Sequence, residues 1–491
     1  MFAAKRILTT LVLTHLATCS PVIEERTLTP SPVCLQIAAA ISSASDVYYF
    51  GHPLYTKGVY HWASSSSQNP LCVVEPGAAS DIGTILGIVG STQTPFAVKG
   101  GGHASNPGFS STTGVHISMY RFSAINYDAA AQTVEIGSGL IWDDVYAALA
   151  PYNVNVVGGR VTGVGVAGFT LGGGYSWKSN QYGLTIDTVT AYELVKPDGT
   201  VVTVTDALDP GLFSALKGGL NNFGIVTKFT LKTFPQTQVW GGLITITEAF
   251  IPDVAAATAA FQANVNDPKA AIITTYNFLL GEPGISQLLF YDGPTPPAGI
   301  FDDFLAIPYF TKDVSTRSFL SLVQASPSNA TAGTRAIFNT VSVLDYTPAL
   351  LDVILNETTF WGINLSLKTG VFISYDVEPF LPSIYSHNAE TTAFPPVRTL
   401  GLLPFNIYFA WLDPSFDTDF QNAARATAAT VFNAAVAEGQ SNLIGAPVYP
   451  NYAIFDTPLS QIYGSNLATL QSLKATIDPT NVMGLAGGFK F

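Results

Sequence analysis

Glycine is concentrated in two short segments of this 491-residue chain, and these segments constrain the possible folds more than any other feature. The first is Lys99-Gly100-Gly101-Gly102-His103, which follows a strand-like stretch at 95–98. Three successive glycines let the backbone approach a ligand closely, and their adjacent amides can bind phosphate. The segment therefore predicts a polyanion-binding loop beside a histidine. The alternative is a plain glycine turn with a hydrogen-bonded histidine.

The second segment spans 158–174 and contains a literal GxGxxG at Gly163, Gly165 and Gly168. On paper this matches the dinucleotide fingerprint of Rossmann folds. Such a site needs a helix directly after the glycines, whereas three more glycines follow at 172–174, each costing about 1 kcal/mol in a helix interior. No βαβ unit is evident either. We therefore interpret the segment as an extended, glycine-lined wall against which a long cofactor lies.

The composition excludes several classes of protein. With 47% hydrophobic and 11% charged residues, the chain can bury a large core. Its formal net charge of −13 gives no electrostatic footprint for nucleic acid or for an anionic membrane. No HExxH, CxxC or GxSxG pattern occurs, so we expect neither a metal site nor a serine hydrolase.

The N-terminal residues are typical of a signal peptide, which we place at 1–20. Lys5 and Arg6 precede a mostly apolar stretch, and small residues stand before a plausible cleavage point. The apolar stretch is too short to span a bilayer, and no later segment is long enough. We therefore expect a secreted, extracellular protein without a membrane anchor.

Cysteine and asparagine usage agrees with export. After cleavage, Cys34 and Cys72 would remain, and an even pair in an oxidising compartment predicts one disulfide bond. Two buried free thiols are the alternative. Sequons at Asn329, Asn356 and Asn364 predict a glycoprotein.

The order of predicted elements indicates an α+β protein. We divide it into a first domain at 21–235, a second domain at 236–440, and a C-terminal segment at 441–491 that returns to the first. The pattern predicts helices at 80–91 (with Ser80 as N-cap), 142–150, 254–265, 317–325, 418–438 and 461–477, and strands at 271–280 and 405–411, with a short strand-like piece from 449.

The two glycine-rich segments and several further motifs together resemble the berberine bridge enzyme-like group of the vanillyl-alcohol oxidase superfamily, particularly its secreted fungal members. The resemblance runs from about residue 67 to the C-terminus. It rests on VKGGGH at 98–103, GSGLIWDDVY at 137–146, VGVAG at 164–168, GGG at 172–174, DPGLF at 209–213, NFGIVT at 222–227, YPNY at 449–452 and YGSN at 463–466. It implies that the first domain, at 21–235, is a two-part FAD-binding domain and that the second, at 236–440, is a substrate domain with an antiparallel sheet backed by helices.

The resemblance also implies roles for individual residues. His103 would bond covalently to the 8α-methyl group of FAD, and Ile225 and Val226 would hold the flavin through their backbones. The remaining residues expected at the cofactor are Lys99, Gly100, Gly101, Gly102, Val161, Val164, Gly165, Gly168, Gly172, Gly173, Gly174, Tyr175 and Asn451.

One position departs from many relatives, which carry a second, cysteine tether where this chain has Val161. The resemblance therefore implies a single covalent bond, through His103. Val164 resembles the residue that admits dioxygen to the flavin, which favours an oxidase over a dehydrogenase.

Alcohol oxidation by FAD also needs a base for the hydroxyl proton. Relatives place it on a central strand and on the YxNY piece. Since 405–411 contains no carboxylate, we predict Tyr408 with Tyr452, although a tyrosine needs a lowered pKa for this role. Tyr408 could instead be a core residue, and Asn451 or Tyr449 could serve in place of Tyr452.

The sequence thus predicts a secreted, FAD-dependent oxidase that takes a hydride from an alcohol, sugar or phenolic substrate and reduces O2 to H2O2. We expect a monomer. The alternatives are an FAD-dependent dehydrogenase that uses quinone-type acceptors and a non-catalytic binding glycoprotein.

Overall fold

A computed structural model describes residues 30–326 and 328–491. The predicted signal peptide lies outside the described residues. Within them, helix and strand mix in an α+β arrangement, as predicted. The predicted domain boundaries at 235/236 and 440/441 stay predictions.

The first part of the described chain, residues 30–235, contains three small sheets. Its helices are α1 (Pro32–Ala40), α2 (Pro53–Val59), α3 (Ala79–Thr92), α4 (Trp142–Leu149), α5 (Val166–Leu171), α6 (Ser179–Tyr182) and α7 (Pro210–Leu216). Its strands are β1 (Asp46–Tyr48), β2 (Cys72–Glu75), β3 (Phe96–Lys99), β4 (Val115–Ser118), β5 (Ile125–Asp128), β6 (Thr133–Gly137), β7 (Val154–Asn155), β8 (Val189–Val195), β9 (Val201–Val204), β10 (Ile225–Lys232) and β11 (Phe234–Pro235).

These strands pair in the orders β1-β2-β4-β3, β5-β6-β10-β8-β9 and β11-β7. In the first sheet, β4 runs parallel to both β2 and β3, and α3 packs against α1 beside it. A disulfide joins Cys34 of α1 to Cys72 of β2, with 6.2 Å between their Cα atoms. The predicted disulfide is thereby confirmed.

The second part, residues 236–326 and 328–491, is built on one large sheet. Its strands are β12 (Val239–Thr247), β13 (Ala270–Leu279), β14 (Glu282–Tyr291), β15 (Thr311–Arg317), β16 (Arg335–Val343), β17 (Gly370–Val377) and β18 (Leu403–Trp411). Its helices are α8 (Ile251–Asn264), α9 (Asp302–Ala306), α10 (Phe319–Val323), α11 (Pro348–Ser366), α12 (Asp417–Ala437), α13 (Leu459–Tyr463) and α14 (Leu467–Ile477).

The seven strands pair antiparallel in the order β15-β12-β14-β13-β17-β18-β16. Helices α11 and α12 pack against this sheet, which leaves the opposite face for the cavity described below. The predicted antiparallel sheet backed by helices is confirmed. The C-terminal segment contacts the first part, because Ala486 bridges to Phe96 and Asn222 donates a hydrogen bond to the carbonyl of Phe489.

Several local predictions were wrong. Helix α3 begins at Ala79, so Ser80 is not its N-cap. The predicted helix at 317–325 begins only after β15, where the Ser318 hydroxyl accepts from the amide of Ser321. The predicted helix at 461–477 is interrupted at Gly464, which has a φ of +46°.

Two further differences concern the site segments. The predicted glycine-lined wall is not fully extended, because α5 begins directly after Gly165 and ends before Gly172. This helix has six residues. The glycines at 172–174 lie beyond its end and therefore do not destabilise it. The piece from 449 is a turn rather than a strand, since the amide of Tyr452 donates to the carbonyl of Tyr449.

Candidate active site

A cavity of about 1000 Å³ lies between the glycine-rich loops of the first part and the large sheet. The loop 100–106 and the segment 164–169 line one side of it. Side chains from β12, β13, β14, β16, β17 and β18 line the other side. The cavity is large enough for a dinucleotide cofactor and a small-molecule substrate together.

The two glycine-rich segments touch each other on one side of this cavity. A Cβ atom on Gly101 would lie 2.5 Å from the Cα atom of Gly165, and a Cβ on Gly165 would lie 2.5 Å from the amide of Gly101. Neither position therefore tolerates a side chain. Gly102 has a φ of +77°, which favours glycine there as well. Glycine is required here for close backbone contact, which leaves amides near the cavity surface.

His103 follows this loop and lines the cavity. Burial lowers the pKa of its imidazole to about 4, so the ring is neutral near pH 7. Its Nε2 atom is buried, and within the described part of the chain it has no hydrogen-bond partner. A neutral imidazole with an unsatisfied nitrogen suits the residue that would hold FAD.

Most of the predicted cofactor-binding residues lie around this one cavity. Those that line it are Gly100, Gly101, Gly102, His103, Val161, Val164, Gly165, Gly168, Tyr175, Ile225, Val226 and Asn451. Lys99, Gly172, Gly173 and Gly174 do not line it. Lys99 turns away beneath Gly102 and donates to the hydroxyl of Tyr120 at 2.6 Å. Whether the cavity-lining residues bind FAD individually stays a prediction.

Tyr452 belongs to a buried ionic cluster with Arg160 and Glu378. Its hydroxyl donates to Glu378 Oε1 at 3.0 Å and accepts from Arg160 Nη2 at 2.8 Å. The same Nη2 lies 2.7 Å from Glu378 Oε2. The side chains of Arg160 and Glu378 are 6% and 2% exposed, so little water screens their interaction.

The pKa values in this cluster distinguish its possible bases. Burial raises the pKa of Glu378 to about 7, although the Arg160 guanidinium opposes the shift. Burial and the Glu378 carboxylate raise the pKa of Tyr452 well above its usual range. Glu378 is therefore the group that can exchange a proton near neutral pH, and Tyr452 stays a neutral hydroxyl.

Tyr408 lies in the cavity on β18, with its hydroxyl donating to Thr331 Oγ1 at 2.7 Å. Burial raises its pKa above the usual range. Beside it, Asn406 donates to Asp376 Oδ2 at 2.8 Å, and Ser374 donates to Asp376 Oδ1 at 3.0 Å. The structure thus brings Tyr408 and Tyr452 into the same cavity. Their catalytic roles stay predictions.

Sequence reasoning missed Arg160, Glu378 and Asp376. The carboxylates lie on and just after β17, the neighbour of β18, rather than on β18 itself. The sequence contained a signal for the two carboxylates. Asp376 lies near the end of the strand-like stretch 370–377, and Glu378 follows directly after it. Residues two positions apart face the same side of a strand, so these two side chains could be expected on one face. Arg160 was also visible as a basic residue inside the second glycine-rich segment.

A row of polar side chains crosses the sheet on the cavity side. Pairing aligns Thr245 with Ser286, Ser286 with Thr275, Thr275 with Asp376, and Asp376 with Asn406. All five line the cavity. With strands about 4.8 Å apart, the row spans about 19 Å. It provides many hydrogen-bonding groups beside Glu378.

Comparisons with known proteins agree with this geometry. Residues 70–205 match the FAD binding domain family. The chain is 30% identical over 452 residues to FAD-dependent monooxygenase tpcD of Cochliobolus heterostrophus, a match that covers 87% of this chain and 86% of the relative. It is 37% identical over 271 residues to FAD-dependent monooxygenase drtC of Aspergillus calidoustus, covering 54% and 52%. In matches such as that to drtC, the chain spans about half the length of the curated relative.

Among solved structures, wild-type BBE-like 1 of Physcomitrella patens superimposes with a TM-score of 0.75. The match covers 92% of this chain and 97% of that one at 20% identity, which shows a shared fold. These matches place the chain in a family of FAD-linked oxidoreductases. More particularly, the chain belongs to the berberine bridge enzyme-like family. The resemblance found in the sequence is thus confirmed.

Two further findings concern metal binding and membrane spans among the described residues. These residues hold no cluster of three or more histidine, cysteine, aspartate or glutamate side chains arranged to bind a metal ion. None of their helices combines the length and apolar character needed to cross a bilayer.

Proposed function

We propose that this chain is a secreted FAD-linked oxidase that removes a hydride from an alcohol or sugar hydroxyl carbon and reduces O2 to H2O2. The observation that carries the proposal is the contact between Tyr452 and Glu378 in a cavity that also contains His103. A buried carboxyl group that lines the cavity and has a pKa of about 7 suits the removal of a proton from a substrate hydroxyl. The N-terminal pattern, the Cys34–Cys72 disulfide and the sequons support secretion.

His103 would hold the cofactor through one covalent bond to its imidazole. Its neutral ring and buried, unpartnered Nε2 (among the described residues) support this role. Val161 lines the cavity where many relatives have a second tether, and its side chain cannot form one. The His103→Ala variant should release its flavin on acid precipitation, whereas the wild type should retain it. Release from the wild type would refute the covalent attachment.

FAD, when bound, supplies the hydride acceptor and passes the electrons to dioxygen. The residues of the chain then have separate tasks. Glu378 accepts the hydroxyl proton of the substrate, and Arg160 holds the carboxylate in place through Oε2. Tyr452 donates to Glu378 Oε1 and so fixes the orientation of the carboxylate. Because the cluster is buried, its interactions are stronger than they would be in water.

The polar row from Thr245 to Asn406 supports a hydroxylated substrate. The Oδ1 atom of Asn406 is buried and lacks a hydrogen-bond partner among the described residues. It can therefore accept a hydrogen bond from a substrate hydroxyl. Trp62, Phe338 and Tyr408 form an aromatic wall beside this end of the row, against which a sugar or phenolic ring can stack.

The central test is anaerobic bleaching of the flavin by a panel of alcohols, aldoses and phenolics. An oxidase should then consume one O2 and release one H2O2 for each substrate oxidised. Reduction of dyes without oxygen consumption would instead support a dehydrogenase with quinone-type acceptors. Because the matched relatives are named monooxygenases, products should also be checked for incorporation of labelled oxygen. A colourless protein that no substrate affects would support the non-catalytic alternative.

A further inference from the structure

Trp62 packs directly against the His103 loop. It follows α2, and its residue surface is 8% exposed. Its indole ring stacks on the imidazole of His103, with 4.5 Å between ring centroids and 15° between planes. Its backbone amide donates to the carbonyl of Gly102 at 2.9 Å. Trp62 therefore contacts the loop through both side chain and main chain.

The same residue is fixed from the substrate side of the cavity. The indole Nε1 donates to the carbonyl of Ser328 at 3.2 Å, and the carbonyl of Trp62 accepts from Gly333 at 2.8 Å. The indole ring also stacks with Phe338 of β16, at 5.9 Å and 20°. These contacts restrain the position and the plane of the indole.

At its Nε2 end, the imidazole of His103 has no comparable restraint. Among the described residues, its Nε2 atom has no hydrogen-bond partner. Packing therefore restrains this end of the ring, and the stacked indole supplies a nearly parallel contact. A ring nitrogen must point at its reaction partner within a narrow range of distance and angle for a bond to form. Free rotation of the imidazole would reduce the population in that range.

From these contacts we propose that Trp62 is the positioning residue for His103: it holds the imidazole plane in the orientation in which FAD becomes attached. The inference rests on the proposed function, because it presupposes the covalent bond to His103. It adds a residue outside the glycine-rich motifs to the attachment site. It also connects the attachment of FAD to the substrate side of the cavity, since Phe338 and Ser328 contact the same indole ring.

The test compares Trp62→Leu, Trp62→Met and Trp62→Phe with the wild type. For the folded, flavin-containing fraction of each, the share of flavin that stays with the protein after acid precipitation is measured. Leucine and methionine fill space without a ring, so the covalent share should fall at least fivefold while total bound flavin changes less than twofold. Phenylalanine keeps an aromatic face and should restore most of the covalent share.

Trp411→Leu is the matched control. The Trp411 ring stacks on Phe420 at 4.4 Å and 8°, and its Nε1 donates to Asp417 at 2.9 Å, but it does not line the cavity. This variant should lose thermal stability and keep the wild-type covalent share. A wild-type share in both non-aromatic Trp62 variants, or an equal loss in Trp411→Leu, would overturn the inference. Flavin release from the wild type would instead refute the His103 tether itself.

Discussion

Glu378→Gln is the substitution that most directly tests the proposed chemistry. The amide cannot accept the substrate proton, but its oxygen can still accept a hydrogen bond from Arg160 or Tyr452. The substitution leaves the Arg160 guanidinium buried without its counter-ion, so the free energy of unfolding should fall by about 3–5 kcal/mol. The rates are therefore compared for the folded, flavin-containing protein. Loss of a general base typically slows the chemical step by about 10²–10⁴-fold. We expect a decrease of that size in the anaerobic rate of flavin reduction, measured by stopped-flow absorbance.

The pH dependence gives a second, independent magnitude. With a pKa of about 7, Glu378 is about one-tenth ionised at pH 6 and about nine-tenths ionised at pH 8. Since the ionised carboxylate is the base, the wild-type reduction rate should rise about tenfold over this interval and then level off. The Glu378→Gln variant should show no such rise.

Glu390→Gln serves as the control for this substitution. Glu390 pairs with Lys217 at 2.7 Å, is half exposed and does not line the cavity. The hydrogen bond from Lys217 lowers its pKa, so it does not titrate between pH 6 and 8. Its variant should keep the wild-type rate and profile. A Glu378→Gln variant that reduces its flavin at the wild-type rate, or a wild-type profile that is level from pH 6 to 8, would refute the assignment.

Three other outcomes are expected. Tyr452→Phe should slow flavin reduction about tenfold, because the lost hydrogen bond to Glu378 Oε1 is worth about 1 kcal/mol or slightly more; the bond that the hydroxyl accepts from Arg160 is lost as well. Unchanged rates in both Tyr452→Phe and Tyr408→Phe would reject the two tyrosines as catalytic. Cys34→Ser opens a loop with a sequence separation of 38 residues and should lower the free energy of unfolding by about 4 kcal/mol in denaturant titrations. Gly101→Ala should abolish flavin binding, measured by absorbance, because its Cβ would meet Gly165, while Gly87→Ala, with nothing within 4 Å, should not.

The cofactor side of the site could be predicted because its function depends on main-chain approach. The backbones at Gly101 and Gly165 contact each other, so both positions require glycine. Such a requirement can be recognised from the residue types alone. His103 follows such a loop at a fixed distance along the chain. The predicted wall failed only in its local conformation, because a six-residue helix fits between Gly165 and Gly172.

The catalytic side could not be predicted in the same way. Arg160, Glu378 and Tyr452 are far apart in the chain and meet only through the pairing of distant elements. The expectation of a base on β18 stays a prediction; the carboxylates near it lie on and just after the neighbouring strand β17, where Asp376 pairs directly with Asn406 of β18. The order of strands in a sheet depends on contacts between distant parts of the chain, so the residues of a single strand do not predict it.

The glycine triplet 172–174 explains how the two sides are joined. A Cβ atom on Gly172 would lie 2.0 Å from Oδ1 of Asn451, and the amide of Gly174 donates to the hydroxyl of Tyr449 at 3.1 Å. Asn451 in turn donates to the carbonyl of Phe169, in the helix beside the cavity, at 3.0 Å. The triplet therefore contacts the turn that carries Tyr452 rather than the cavity. The contact of the triplet with the cofactor stays a prediction. Because the triplet carries no side chains, the turn that carries Tyr452 lies close to the segment 164–169, which lines the cavity.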